Sequence, residues 1–210
     1  MLKIFTGALL IAALLSGQVA QAEDSPSRRP LFLFLLLHND IEETSTARIA
    51  EDYLIWLVKD LESFTGRRVQ LQFISDVPGV TDFAYKSTDS DAIYNAWRQR
   101  ADQYINARNL PRNGTTKYLL LTQEAMDSNT LGLSAPGSHT GMASLGYVST
   151  AAHELGHMLG GTHESAEILY RGAWWCETNL VAVHQSYRQY CKVYSDENKR
   201  RIAEDLSQYP

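Results

Sequence analysis

Three imidazoles and one carboxylate fall within the eleven residues His153–His163 of the stretch Ala152–Glu164, which reads AHELGHMLGGTHE. His153 and His157 stand four residues apart, so on a helix over residues 148–159 both project from one face. Two neutral imidazoles on one helical turn can both reach a zinc ion, at about 2.0–2.1 Å. Glu154 lies beside the first of them, where its carboxylate can face a water on the metal rather than the metal itself. Gly160 suits the point at which the helix must stop, because glycine accepts the left-handed conformation at low cost. The reversed chain can then bring His163 back as a third ligand. Three protein ligands leave a fourth position for water, the pattern of a catalytic zinc rather than a structural one. A bare H-E-x-x-H arises by chance in many chains, whereas the extended H-E-x-x-H-x-x-G-x-x-H is far more demanding. The bland reading is a polar helix whose histidines fill ordinary surface or core roles, and it is the weaker of the two.

The motif needs a scaffold, and the residues before it supply one. Leu31–Leu37 (LFLFLLL) is a continuous apolar run of strand length, which suits a strand buried on both faces. From Ile41 to Phe64, Ile49, Tyr53, Trp56, Leu57 and Leu61 recur at helical spacing, and Thr65-Gly66 closes that helix. Val69–Ile74 (VQLQFI) alternates apolar and polar side chains and reads as a second strand. A helix capped by Asp89 or Ser90 is expected over about residues 91–108, and Lys117–Thr122 (KYLLLT) is a third strand. The order β-α-β-α-β implies parallel strands joined by crossovers, with both helices against the sheet. Glu124–Tyr147 is rich in Gly, Ser and Thr and reads as an irregular loop with one or two short strands. Ser149 or Thr150 can cap the motif helix, and Leu155, Met158 and Leu159 are its apolar partners. Beyond His163 the periodicity weakens until Ser195–Leu206, a capped helix with Ile202 and Leu206 on one stripe.

Met1–Ala22 has the layout of an export signal: Lys3, an apolar run Ile4–Leu15, then Ala20-Gln21-Ala22, with cleavage expected after Ala22. The apolar run is short for a membrane span, which takes roughly 20 residues. The mature chain, 23–210, suits one domain with a real core, and two would be cramped. Losing Lys3 takes the formal charge from -5 to -6, which argues against nucleic acid as a partner. Cys176 and Cys191 suggest one disulfide in an exported chain, closing a loop of about 15 residues. Free thiols and further metal ligands are the other readings. A secreted or periplasmic location, a monomer and no membrane span in the mature chain are the expectations.

His153, Glu154, His157, Gly160 and His163 resemble the metzincin zinc endopeptidases. The tail is most similar to the reprolysin/adamalysin-like branch, through Cys176, Cys191, Tyr194-Ser195 and the helix bearing Ile202 and Leu206. That resemblance implies an α/β, metzincin-like fold. Its parts are a mixed twisted sheet, two long helices, an active-site helix, and a small coil-rich C-terminal subdomain ending in a helix. Residues 31–160 would form the N-terminal subdomain and 161–210 the C-terminal one. It implies an exported endopeptidase in which His153, His157 and His163 hold one zinc ion and Glu154 is the general base for a zinc-activated water. Two departures stand out. The family's methionine turn beneath the zinc falls near Leu180, and Glu164 replaces the aspartate usual in the branch. The calcium sites of some members map onto no residue of this chain.

The resemblance also implies a protein or peptide substrate held along an edge strand, for which Ser138–Tyr147 is the candidate, and a pocket walled by Val181–Val183. Tyr187, Tyr190 or Tyr194 could assist the oxyanion. A zinc amidase or deacylase on a non-protein substrate and a non-catalytic zincin-scaffold binding protein are the alternatives. His38 and His139 read as structural and surface histidines. His184 has a small prospect of a site role, and Trp174 and Trp175 read as packing beside a disulfide.

Overall fold

The computed structural model describes residues 28–210. The expected export signal and the first residues of the arm that follows it lie outside the described residues.

The core strand is β1 (Leu31–Leu37), and its two faces build two separate cores. Leu31, Leu33, Leu35 and Leu37 pack with the first helix and the motif helix. Phe34 and Leu36 pack on the other side with Trp97 and Ile105 of the second long helix. This is why LFLFLLL shows no polar alternation: a helix covers each face. β2 (Val69–Ile74) and β3 (Thr116–Thr122) flank β1, both parallel to it.

The first helix comprises α1 (Thr46–Ile49), a π-helical segment (Ala50–Leu54) and α2 (Ile55–Thr65). It starts five residues later than the apolar pattern from Ile41 suggests. The reason is the cap: Ser45 Oγ accepts from the Arg48 N–H at 3.3 Å. Gly66 ends it in the left-handed conformation, with φ 63°. Asp89 caps α3 (Ser90–Ala107) by accepting from the Ala92 N–H at 2.9 Å.

The main sheet has the order β2-β1-β3-β5-β4. β5 (Thr140–Ser144) runs parallel to β3 and is paired on both sides, while β4 (Gly132–Ser134) runs antiparallel at the edge. The expected edge, Ser138–Tyr147, is therefore corrected: its strand is interior, with all five residues buried. Edge position follows from strand order, which the crossovers set, and small residues such as TGMAS carry no mark of it.

The motif helix α4 (Thr150–Met158) lies on the β1 face that carries α2. After it come a 3₁₀ turn (His163–Ser165) and a second sheet of β6 (Ile168–Arg171), β7 (Trp174–Glu177) and β8 (Gln189–Tyr190). α5 (Asp196–Ser207) ends the described chain, with Ser195 Oγ capping the Asn198 N–H at 3.2 Å and Ile202 and Leu206 buried. Cys176 and Cys191 are disulfide-bonded, which disposes of the free-thiol and extra-ligand readings. Trp174 and Trp175 are exposed rather than packed. They lie on opposite faces of a hairpin whose turn, Gly172-Ala173, has positive φ at both residues. No helix among the described residues is long and apolar enough to cross a membrane.

Candidate metal centre

α4 is pinned by Ala151, Ala152, Leu155 and Met158, all essentially fully buried. That leaves His153 and His157 on the opposite side of the helix. Gly160 (φ 92°) turns the chain back. Asn198 of α5 then clamps the returning strand from both sides: its Oδ1 accepts from the Thr162 N–H at 2.9 Å and its Nδ2 donates to the Thr162 carbonyl at 3.0 Å. His163 is thereby delivered to the helix. The three Nε2 atoms converge, His163 at 2.9 Å from each of the others and His153 at 3.2 Å from His157.

The His153–His157 contact is not a hydrogen bond. His153 Nδ1 lies 3.0 Å from the Asn179 carbonyl and His157 Nδ1 lies 3.1 Å from the Gly161 carbonyl. Each Nδ1 must carry a proton to make that bond, so each Nε2 presents a lone pair. Lone pairs this close repel unless a cation lies between them. The donor set suits zinc: ligands about 2.0–2.1 Å from a tetrahedral ion stand about 3.3 Å apart, which asks for shifts of only tenths of an ångström. The two backbone carbonyls are the outer partners that orient ligating imidazoles. Burial pushes His153 down to about 3, reinforced by His157 and His163, and burial likewise lowers His157. Both are held neutral, the form that ligates.

Glu154 is buried at the side of this cluster. Its Oε2 accepts from Ser134 Oγ of β4 at 2.6 Å, and the same hydroxyl lies 3.2 Å from the Glu154 carbonyl. Burial pushes the carboxyl up to about 7, against the opposing pull of the Ser134 hydrogen bond. Gly132 leaves the room: a Cβ there would stand 2.6 Å from Glu154 Cγ. The carboxylate and His153 open into a cavity of about 240 Å³, with Leu131 and Leu133 on one side and Ala182 and His184 on the other.

Beneath the helix, Leu180 is fully buried. A Cβ at Gly156 would lie 3.1 Å from its methyls, and one at Gly161 only 2.5 Å away. The floor is apolar and closely packed, and small residues above it are required. Of the expected wall Val181–Val183, Ala182 lines the cavity and Val183 is exposed, and His184, beyond that range, lines it as well. The three tyrosines are engaged elsewhere. Tyr194 donates to the Ala152 carbonyl at 2.6 Å, Tyr190 donates to Asn179 Oδ1, and Tyr187 is exposed beside Arg188. His139 is paired with Asp102 at 2.7 Å, and His38 lies between Asp40 and the Phe83 carbonyl. Gly132, Ser134 and Asn198 carry no mark in the sequence that singles them out for these places, and His184, given only a small prospect of a site role, lines the cavity.

Three imidazoles that could hold a metal are set against a mixed sheet with its helices, an α/β fold like that of a solved metalloproteinase. Among solved structures, the chain is similar to metalloproteinase-II from Bacteroides fragilis. The TM-score is 0.55 at 16% identity, over 85% of this chain and 53% of that one. The chain thus spans about half the length of the protein it resembles. No protein-family model matches the sequence, and no curated protein does.

Proposed function

We propose that the protein is an exported, zinc-dependent endopeptidase. The observation that carries this reading is the convergence of three Nε2 atoms within 3.2 Å beside a buried Glu154 that does not join them. A structural zinc site would have no use for that carboxylate. His153, His157 and His163 would hold the ion. When bound, zinc supplies a Lewis acid that polarises the scissile carbonyl and makes water acidic enough to lose a proton. Glu154 takes that proton on its carboxylate and passes it to the leaving amine, with Ser134 holding Oε2 in place. The exposed side of β4 runs past Glu154 and can pair with an extended peptide backbone, which favours an endopeptidase over an amidase for small substrates. The disulfide supports an oxidising compartment.

Incubating the zinc-loaded chain with casein and a peptide mixture, with and without a chelator, tests the proposal. Internal cleavage that a chelator abolishes and that Glu154→Gln lacks is expected. Chelator-insensitive cleavage, or equal cleavage by Glu154→Gln, overturns it.

A further inference from the structure

We propose that His184 contacts the substrate in the cavity beside Glu154 and selects, at the residue following the scissile bond, uncharged side chains that carry an O–H or N–H. This rests on the endopeptidase reading, and the cavity is taken as the seat of that residue because His153 and Glu154 themselves line it.

His184 is held like a working group rather than a surface histidine. Its Nδ1 lies 2.8 Å from Oε2 of Glu177, whose side chain is only 2% exposed. Glu177 Oε1 also accepts from the Gln185 N–H at 3.0 Å and from Arg188 Nη1 at 3.2 Å. Three donors on one buried carboxylate fix the loop 184–188 beside Cys176, where the disulfide and the β7–β8 pairing already restrain the chain. Tyr147 packs against the imidazole, ring centroids 4.4 Å apart. The ring therefore has one orientation.

That orientation decides its chemistry. Nδ1 donates to the carboxylate, so Nε2 of the neutral ring is an acceptor. Its one protein contact is Ser149 Oγ at 3.4 Å, at the outer limit of a hydrogen bond. A substrate donor entering the cavity can make a shorter bond there. Leu131, Leu133 and Ala182 line the cavity and can take the aliphatic part of such a side chain, and Ser90, Asn129, Thr130 and Thr150 complete a wall suited to polar, uncharged groups. The nearby carboxylates are already engaged against a lysine or arginine: Glu177 accepts from three donors at the back of His184, and Glu154 faces the reaction. A substrate carboxylate would meet the Nε2 lone pair. Ser, Thr, Asn, Gln and Tyr remain as the favoured residues. The three tyrosines that could have supplied a polar contact are bonded elsewhere, and His184 lines the cavity in their stead.

Two measurements test this. First, products cut from a proteome-derived peptide mixture are mapped for the zinc-loaded wild-type chain, His184→Leu and His184→Gln. The wild type is expected to prefer Thr over Val after the cut by about threefold to tenfold, the range of one uncharged hydrogen bond. His184→Leu should lose that preference, and His184→Gln, which keeps an acceptor, should restore part of it. Second, binding is measured by titration calorimetry to the Glu154→Gln chain, using capped hexapeptides identical except for a central Thr or Val. Tighter binding of the Thr peptide, lost in Glu154→Gln/His184→Leu, is expected. Equal binding of the two peptides, or a Thr preference that survives His184→Leu while zinc content and melting are normal, overturns the assignment. A wild-type chain that cuts nothing overturns the endopeptidase reading alone, because the calorimetric comparison still decides His184.

Discussion

Gly132→Ala separates the position of Glu154, the proposed general base, from the proposed metal ligands. The glycine has ordinary backbone geometry, so alanine brings no conformational strain there. What it brings is a methyl group 2.6 Å from both Cγ and Oε1 of Glu154, where ordinary contact starts at 3.4 Å. The carboxylate must retreat by the difference, about 0.8 Å. It cannot do so freely, because Oε2 is held by Ser134 and the side chain is otherwise enclosed. Misplacing a reacting group by about 1 Å costs on the order of a hundredfold in rate. The His153 and His157 imidazoles proposed to hold the metal are oriented by the Asn179 and Gly161 carbonyls, and the atoms nearest a Cβ at Gly132 all belong to Glu154, so metal affinity should stay as it is. The assay is kcat/KM on a peptide cut by the wild type, alongside zinc stoichiometry and a thermal melt. A fall of about a hundredfold with one zinc still bound is expected. A kcat/KM within threefold of the wild type refutes the reasoning, and so does a loss of zinc in step with activity.

Ser134→Ala removes the hydrogen bond that lowers the Glu154 pKa, so that pKa rises and the acid limb of the kcat/KM profile moves to higher pH. An unmoved or lowered limb contradicts the role given to Ser134. Lys117, 1% exposed in β3, donates to the Ser138 carbonyl at 3.1 Å, and burial pushes it down from 10.5 to about 8. The unfolded chain binds the proton more tightly, so wild-type stability should rise between pH 8 and pH 10.5, by up to about 3 kcal/mol. Lys117→Met should flatten that rise and gain about 1–2 kcal/mol at pH 7, once the Ser138 carbonyl's lost donor is set against it; denaturant unfolding at several pH values reads both effects. Replacing Cys176 and Cys191 together by Ala opens a 15-residue loop and should cost roughly 3 kcal/mol. An unfolding midpoint unchanged by the double replacement contradicts this.

Much of the fold was legible because its signals are local. LFLFLLL marks a strand covered on both faces, and the caps at Asp89 and Ser195 and the stop at Gly66 act within three or four residues. The first helix began late because a serine oxygen at Ser45 outweighed the apolar pattern from Ile41. The exposed Trp174 and Trp175 read as packing because sequence reports what can be buried, not whether anything arrives to bury it.

By itself, the sequence determined what one helical turn and one reversal can bring together: His153 and His157 through their spacing, and His163 through Gly160. It also determined the parallel β-α-β-α-β half. Only the tertiary structure decided what crosses long stretches of chain. It put Ser134 and Gly132 against Glu154, Asn198 around Thr162, Leu180 beneath Gly156, and His184 on Glu177 in the same cavity as the base. Those contacts depend on strand order and on how the tail folds back over the helix, and no short-range rule of spacing reaches that far.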